Sequence, residues 1–395
     1  MGYTVCVWIT ESTVGRNLRD SFYSLLLSLI YNDLRDSITS IITIPTVPFP
    51  ALMHSIVLAG GYATRLWPIT ERRPKMLLPI GDTTVLDRIL ADLEVDDRIE
   101  RVYVSTNERF ETAFREHLAE RPYEKPVVTV ERTSTEDEKL GVVGALAQLV
   151  EREGIDEDTV VIAGDNLMGC SVSDFVDYFA RRDGPALAAY DVGSTVRAKS
   201  YGLVELDGET VVGFQEKPDR PESTLVSIAC YGFTPAVLRD LPTYLDEGNN
   251  PDEPGWFIQW LQDRTRVSAF TFDEAWFDIG TLESYLDAVA WHLDGEQRVS
   301  DRTSIENAEI GSNAHVMAGA EVVNSVVENA IVFPNATIEN SVVRSSIVDR
   351  DARIDGVALE YDLVGEGSWI QTGDGTSADP TPDAVPTPDG GFRVR

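Results

Sequence analysis

A glycine pair, Gly60-Gly61, stands directly after an apolar run and is followed by Arg65 and Lys75. Glycine has no Cβ, so backbone N–H groups in such a turn can approach a phosphate closely. Arginine adds a forked donor for phosphate oxygens, and lysine adds a movable positive charge. No Gly-Lys-Ser/Thr opens the helix that follows, so this is not a Walker A loop. The ordered set predicts a binding site for a phosphorylated ligand.

Two aspartates each allow a functional and a structural interpretation. Asp165 follows the apolar run 160–163, and Asp278 lies in the segment Trp276-Phe277-Asp278-Ile279-Gly280-Thr281. Open α/β sheets place their ligands at the carboxyl ends of strands, which favours a ligand contact for Asp165. The alternative is that Asp165, and either Asp278 or Thr281, cap the helices that follow them.

A further charged pair, Glu216-Lys217, precedes Pro218. Such a triplet is often a solvated turn. The composition favours a functional interpretation, because the chain has only 5 Lys against 28 Arg and two of those five are Lys75 and Lys217.

These residues must be positioned by an alternation of strands and helices. Strand-like runs occupy 55–59, 102–105, 127–130, 160–163 and 186–190, and helical patterns fall near 84–95, 108–120, 142–153 and 172–182. This alternation predicts an α/β fold with a Rossmann-like, mostly parallel sheet. From 203 to 233 the pattern becomes hairpin-like, with a turn at Asp207-Gly208, and predicts an antiparallel addition that could cover a pocket.

The stretch Leu58-Ala59-Gly60-Gly61-Tyr62-Ala63-Thr64-Arg65-Leu66-Trp67-Pro68-Ile69-Thr70, followed by Pro74-Lys75 and Pro79, resembles the signature of the sugar-phosphate nucleotidyltransferase family. That signature is L-A-G-G-x-G-T-R-L-x-P-x-T, then P-K, then P. Ala63 departs from it, since the family has glycine there. If the position requires positive φ, alanine is strained by about 1 kcal/mol.

The resemblance implies a role for each matching residue. It implies Mg²⁺ as the cofactor, with Asp165 and Asp278 as its ligands, and it makes Arg65, Lys75 and Lys217 catalytic. It implies nucleotide binding by Leu58, Ala59, Gly60, Gly61, Arg65, Lys75 and Gly141. It implies sugar-phosphate binding by Gly202, Glu216 and Lys217.

The family's base-reading glutamine is expected five residues before Gly141, where this chain has Glu136. A carboxylate would change the hydrogen-bonding pattern, or the loop is longer and the base-reading residue lies elsewhere. From the resemblance we expect dTTP or UTP, with glucose 1-phosphate, to be the substrates.

Residues 303–362 carry an internal repeat. Asn324-Ser325-Val326-Val327 returns 16 residues later as Asn340-Ser341-Val342-Val343. Short apolar strands at five- or six-residue spacing indicate a short parallel β-helix, which is left-handed in the family. We expect it to be structural or to form a homo-oligomer. An acyltransferase activity is the alternative, with His315 as the histidine near a coil junction.

The remaining segments are predicted to lie outside the fold. We expect residues 1–52 to be an extension, 53–295 the catalytic domain and 366–395 a disordered tail rich in Gly, Asp, Thr and Pro.

The net charge of −33 disfavours nucleic acid and anionic membrane surfaces as partners. With so few lysines, it is typical of a protein that works in concentrated salt. The three cysteines have no disulfide or zinc spacing, which favours the cytoplasm.

The remaining alternative is a regulatory homologue that binds nucleotide sugars without catalysis. Such a protein would have lost Arg65, Lys75, Asp165 or Asp278, and all four are present.

Overall fold

The computed structural model describes residues 52–131 and 140–372, and the backbone of two short paired strands, Ala384–Pro386 and Phe392–Val394. The extension predicted over 1–52 lies almost wholly outside these residues, as do Glu136 and most of the predicted tail.

A nine-stranded sheet, flanked by helices, forms the larger part of the described chain. The strands of this part of the chain are β1 Met53–Leu58, β2 Pro79–Ile80, β3 Thr83–Thr84, β4 Ile99–Asn107, β5 Pro126–Glu131, β6 Asp158–Ala163, β7 Asn166–Met168, β8 Ala186–Asp191, β9 Gly202–Asp207, β10 Thr210–Glu216, β11 Leu225–Phe233, β12 Ser268–Thr271 and β13 Trp276–Asp278. The order in the nine-stranded sheet is β5-β4-β1-β6-β11-β8-β12-β10-β9, while β2 pairs with β3 and β7 with β13 in two small separate sheets.

Helices cover both faces of the sheet, because its strands are apolar on both sides. In β1, Ile56 packs into one hydrophobic core and its neighbour Val57 into the other. The helices are α1 Val85–Val95, α2 Glu111–Ala119, α3 Gly141–Glu153, α4 Val172–Phe179, α5 Thr195–Ala198, α6 Pro235–Asp246, α7 Pro254–Gln262 and α8 Leu282–Leu293. All five predicted strands and all four predicted helices form, with shifts of a few residues at their ends.

The sheet is mixed, so the prediction of a mostly parallel Rossmann-like sheet is right for only part of it. The pairings β5-β4-β1-β6 and β12-β8 are parallel, while all five pairings that involve β9, β10 or β11 are antiparallel. The tight turn between β9 and β10 forces antiparallel pairing. Strand β11 then runs back between β6 and β8, which separates the two parallel parts.

The C-terminal region is a prism of three parallel sheets, as the repeat predicts for a β-helix. The partners 16 residues apart, including Val326 with Val342 and Ile331 with Ile347, lie in register. The strands are β14 Arg298–Val299, β15 Ser304–Glu306, β16 Glu309–Ile310, β17 His315–Val316, β18 Glu321–Val323, β19 Val326–Glu328, β20 Ile331–Val332, β21 Thr337–Glu339, β22 Val342–Arg344, β23 Ile347–Val348, β24 Arg353–Asp355, β25 Ala358–Glu360, β26 Leu363–Val364 and β27 Trp369–Gln371. The prism is longer than the predicted 303–362.

One face of the prism packs against the domain that contains the nine-stranded sheet. Ile331, Ile347 and Leu363 share a core with helix α8 and with Leu66 and Leu78. Beside this core, Arg73 Nη2 donates to Asp349 Oδ1 at 3.0 Å, and the Arg73 guanidinium lies 4.5 Å from the centre of the Phe333 ring. The two regions therefore share a hydrophobic core at their boundary.

Within the described ranges, no helix has the length and apolar character needed to cross a membrane.

Candidate active site

The glycine loop lies at the carboxyl end of β1 and is held from the neighbouring strand β4. Asn107 Nδ2 donates to the Gly60 carbonyl oxygen at 2.9 Å, and Thr106 Oγ1 donates to the Ala59 carbonyl oxygen at 3.1 Å. Ala59 is fully buried, so it supports the loop from below. A Cβ on Gly61 would have no heavy atom within 4 Å, which shows that this glycine faces open space.

The segment after the loop shows the backbone strain expected at Ala63. Its φ is 50° and its ψ is 45°, the left-handed region that disfavours residues with a Cβ. Thr70 Oγ1 donates to the Ala63 carbonyl oxygen at 2.8 Å and holds this conformation. Arg65, on the 3-10 turn Thr64–Leu66, is exposed and does not line the cleft described below.

Lys75 is ion-paired with Asp165 at the floor of the site, and its side chain is 14% exposed. Burial alone would lower the pKa of Lys75, but the charges of Asp165 and Asp278 outweigh burial and raise it. The lysine is therefore a fixed cation under the space where anionic groups would meet.

The two candidate metal ligands are adjacent, although 113 positions separate residues 165 and 278. Strand β13 pairs with β7 so that Asp278 lies opposite Asn166, and Ile279 N donates to the Asp165 carbonyl oxygen at 3.1 Å. Burial, followed by the negative charge of Asp165, raises the pKa of Asp278 to about 6. Tyr201 Oη donates to Asp278 Oδ2 at 3.4 Å.

Neither aspartate caps a helix, so the capping alternative fails for both. Helix α4 is capped by Ser171, and helix α8 is capped by Thr281, whose side chain accepts from Ser284 N at 3.2 Å. Thr281 is thus the cap that the sequence allowed.

The donor set suits Mg²⁺. Two carboxylates that repel one another provide the hard oxygen ligands that this ion prefers. Among the described residues no three potential metal ligands converge, so the remaining coordination positions would fall to phosphate oxygens and water.

The sugar side of the site is formed by the β9–β10 hairpin and the start of α7. Gly202 pairs directly with Glu216 across the hairpin, and a Cβ at position 202 would collide with the Phe214 ring and lie 2.8 Å from Glu216 Oε2. A Cβ on Gly255 would collide with the same carboxylate. Two glycines therefore make room for the Glu216 side chain.

Glu216 and Lys217 have different surroundings. Burial, followed by the nearby charge of Glu253, raises the pKa of Glu216 to about 7. Lys217 is 43% exposed and forms an ion pair with Glu253. The backbone of Lys217 lies in the left-handed region, with a φ of 43°.

One cleft with two lobes brings the predicted residues together. We call them the nucleotide lobe, of about 710 Å³, and the sugar lobe, of about 190 Å³. Asp165 lines both lobes. The predicted residues in the nucleotide lobe are Leu58, Gly60, Gly61, Lys75 and Gly141. Those in the sugar lobe are Gly202, Glu216, Lys217 and Asp278.

Sequence reasoning missed several cleft residues, among them the polar side chains of Asn107, Glu131 and Glu253. Asn107 and Glu131 are the last residues of the parallel strands β4 and β5. The rule that ligands bind at strand carboxyl ends could have found both. Glu253 precedes Pro254, the first residue of α7, and a proline at this position marks a helix start.

A second cleft, of about 630 Å³, lies between the sheet-containing domain and the β-helix, and none of the predicted site residues lines it. His315 is 5% exposed, and burial, followed by the charge of Arg298, lowers its pKa to about 4. This buried position disfavours the acyltransferase alternative, in which His315 would have to meet a substrate.

The chain is similar to known proteins in sequence and in fold. The model of the family described as "Nucleotidyl transferase" matches residues 54–294. Over 287 residues the chain is 26% identical to a "Putative mannose-1-phosphate guanyltransferase" of Sulfolobus acidocaldarius, covering 70% of this chain and 76% of that protein. Over 290 residues it is 28% identical to a glucose-1-phosphate thymidylyltransferase of Streptomyces griseus, with the same two coverages.

A glucose-1-phosphate adenylyltransferase of Fervidobacterium nodosum is 28% identical over 250 residues, which are 58% of this chain and 59% of that protein. A crystal structure of a "Putative Glucose-1-Phosphate Thymidylyltransferase" of Bacillus anthracis has the same fold, with a TM-score of 0.53 and 23% identity over 61% of this chain and 96% of that one. The family model matches more than half of the chain, which therefore belongs to the nucleotidyl transferase family.

Proposed function

We propose that the protein is a sugar-1-phosphate nucleotidyltransferase, which joins a nucleoside triphosphate to a sugar 1-phosphate and releases pyrophosphate. The observation that carries this proposal is the junction of the two lobes, where Asp165, Lys75 and Asp278 converge. A reaction between two phosphorylated substrates needs such a meeting point. The relatives named above include guanyl-, adenylyl- and thymidylyltransferases of sugar 1-phosphates, which supports the reaction class.

The reaction is an in-line displacement on phosphorus. A phosphate oxygen of the sugar 1-phosphate forms a bond to the α-phosphorus of the nucleotide, and the bond from that phosphorus to the pyrophosphate oxygen breaks. No protein nucleophile is required, so positioning and charge neutralisation provide the catalysis.

The chain's own residues divide this work between the lobes. Backbone N–H groups at Gly60 and Gly61 hold the triphosphate, and Lys75 neutralises charge from below. Arg65 lies outside the lining of the cleft, so its contact with the phosphates stays a prediction. Gly202 and Glu216 orient the sugar, while Lys217 exchanges Glu253 for the sugar phosphate. Mg²⁺ held by Asp165 and Asp278 would offset negative charge on the α-phosphate.

The finer assignments rest on the resemblance. Glucose 1-phosphate is the first sugar to test, and dTTP or UTP is the expectation for the nucleotide. Cytoplasmic location, a high-salt habitat, the dispensable extension 1–52 and a homo-oligomer through the β-helix also stay predictions.

The test is a matrix of nucleoside triphosphates against sugar 1-phosphates with Mg²⁺, scored by pyrophosphate release at low and molar salt. Turnover with at least one pair is expected. Tight binding of nucleotide sugars without turnover by any pair would instead support the regulatory homologue.

A further inference from the structure

The nucleotide lobe has a polarity that places the base of the nucleotide at one end. The strand order β6-β1-β4-β5 puts Asp165, which follows β6, at one side and Glu131, the last residue of β5, at the other. Three strand spacings separate them, about 14 Å between backbones. With the α-phosphate near Asp165, the base extends toward Glu131.

The lining of that end suits a flat, partly apolar ring. Leu58, Val142 and Ala145 line the lobe together with Glu131. Gly141, also there, has a φ of 73°, and a Cβ at that position would collide with the Pro251 carbonyl oxygen. This glycine fixes the start of α3 against the lobe.

The Glu131 carboxylate reaches from β5 back toward the glycine loop. Its Oε1 atom lies 3.1 Å from the position that a Cβ on Gly60 would occupy, and Ser105 Oγ on the intervening strand is 3.4 Å from the same oxygen. The carboxylate therefore lies beside the loop that receives the nucleotide.

The side-chain amide of Asn107, which also lines the lobe, is already engaged in hydrogen bonds and is not available to bind the base. Asn107 Nδ2 donates to the Gly60 carbonyl oxygen at 2.9 Å, and Asn107 Oδ1 accepts from Phe110 N at 3.2 Å. One end of this amide holds the glycine loop and the other holds the turn at Phe110, so turning the amide toward a base would break both hydrogen bonds.

An ionised carboxylate only accepts hydrogen bonds. The Watson–Crick edge of guanine presents two adjacent donors, N1–H and the 2-amino group, which match two carboxylate oxygens. Thymine and uracil present a single N3–H between two carbonyl oxygens. A carbonyl oxygen would then face a carboxylate oxygen, and the two acceptors would repel one another. Adenine and cytosine each place one amino donor beside a ring-nitrogen acceptor.

We propose that Glu131 is a specificity-determining residue that selects guanine, so that GTP is the preferred nucleotide. This inference rests on the proposed function and departs from the expectation of dTTP or UTP. A bidentate pair of this kind discriminates between bases by roughly 5- to 150-fold.

The experiment compares kcat/KM for GTP, ATP, CTP, UTP and dTTP in the wild-type protein and in Glu131→Gln. The glutamine amide keeps one acceptor and gains a donor, which complements thymine and uracil. We expect the wild type to prefer GTP over dTTP and UTP by about 10-fold or more, and the variant to lose most of that preference. Glu151→Gln removes the same charge from an exposed site on α3 and should leave the ratio unchanged.

Calorimetric titration with GDP and dTDP keeps this test separate from that of the proposed function, because it needs no turnover. Preferential GDP binding that Glu131→Gln abolishes would support the inference even if no sugar phosphate reacts. A wild type that prefers dTTP or UTP, or a variant with the wild-type base ratio, would overturn it.

Discussion

The two lobes of the cleft are constructed in different ways. The nucleotide lobe lies at the carboxyl ends of parallel strands, with backbone groups at its loop and Lys75 buried against Asp165. The sugar lobe lies on an antiparallel hairpin, with side chains that are partly exposed and paired with one another. The comparison indicates a nucleotide lobe that is formed in advance, and a sugar lobe whose charges rearrange when the substrate binds.

The largest effect is expected at the boundary between the lobes. Asp165→Asn and Asp278→Asn should each reduce kcat at least about 100-fold, the scale of losing preorganised charge stabilisation. The double variant should be little worse than the poorer single one, because residues that serve one metal act as a unit. Steady-state kinetics across a Mg²⁺ titration measures both.

Melting temperatures provide the control for these variants. Asp278→Asn removes the repulsion between the carboxylates of Asp278 and Asp165. Because the ionised Asp278 destabilises the fold above pH 6, this variant should be as stable as the wild type or more stable there. Asp165→Asn breaks the buried pair with Lys75 and should lower stability. Two stable variants with retained turnover would contradict the metal role.

The two lysines test the comparison directly. Lys217→Ala should raise KM for the sugar phosphate by roughly 10- to 150-fold and change that for the nucleotide much less, since a charge-assisted contact contributes about 1.5–3 kcal/mol. Lys75→Ala should reduce kcat and lower the melting temperature as well, because it leaves Asp165 beside Asp278 without a cation. Equal losses for both substrates in Lys217→Ala would mean that the lobes are not separate.

The smallest of these effects is a pH dependence confined to the sugar lobe. Glu216 has a folded pKa of about 7, above the usual 4.5, so its neutral form is favoured in the fold. The stability linked to this group is present below pH 4.5 and is lost as pH rises through 7. The ionised carboxylate is the better acceptor for sugar hydroxyls, so KM for the sugar phosphate should fall between pH 6 and 8.

Glu253→Gln sharpens this prediction. It removes the like charge near Glu216 and frees Lys217, and both changes lower the pKa of Glu216. The KM profile should move to lower pH, whereas Glu216→Gln should flatten it. An unchanged profile in both variants would assign the titration to another group.

Local sequence patterns predicted the helices and strands of this molecule better than they predicted which strands pair with one another. The β-helix register followed from the repeat, because pairs such as Ile338 and Ile354 stack on the next coil. Asn324 and Asn340 also mark corners, with φ near 48°, in the left-handed region that asparagine tolerates.

The antiparallel hairpin of β9 and β10 was predicted, but its place in the sheet was not, because the insertion of β11 between β6 and β8 is a non-local pairing. The adjacency of Asp165 and Asp278 came from the resemblance and depends on the pairing of β13 with β7. Counting from Gly141 led to Glu136, whereas the strand-end carboxylate in the cleft is Glu131, because nine residues separate the end of β5 from α3.

The ion pair between Arg73 and Asp349 has a consequence for folding. Arg73 lies two residues before Lys75, so the β-helix contacts the segment that carries this lysine. Removing the β-helix would take Ile331, Ile347 and Leu363 out of the core that contains Tyr285, and it would leave the Arg73 guanidinium without its carboxylate. The β-helix therefore acts as a structural half of the enzyme rather than a detachable module, and the two regions should melt in one cooperative transition.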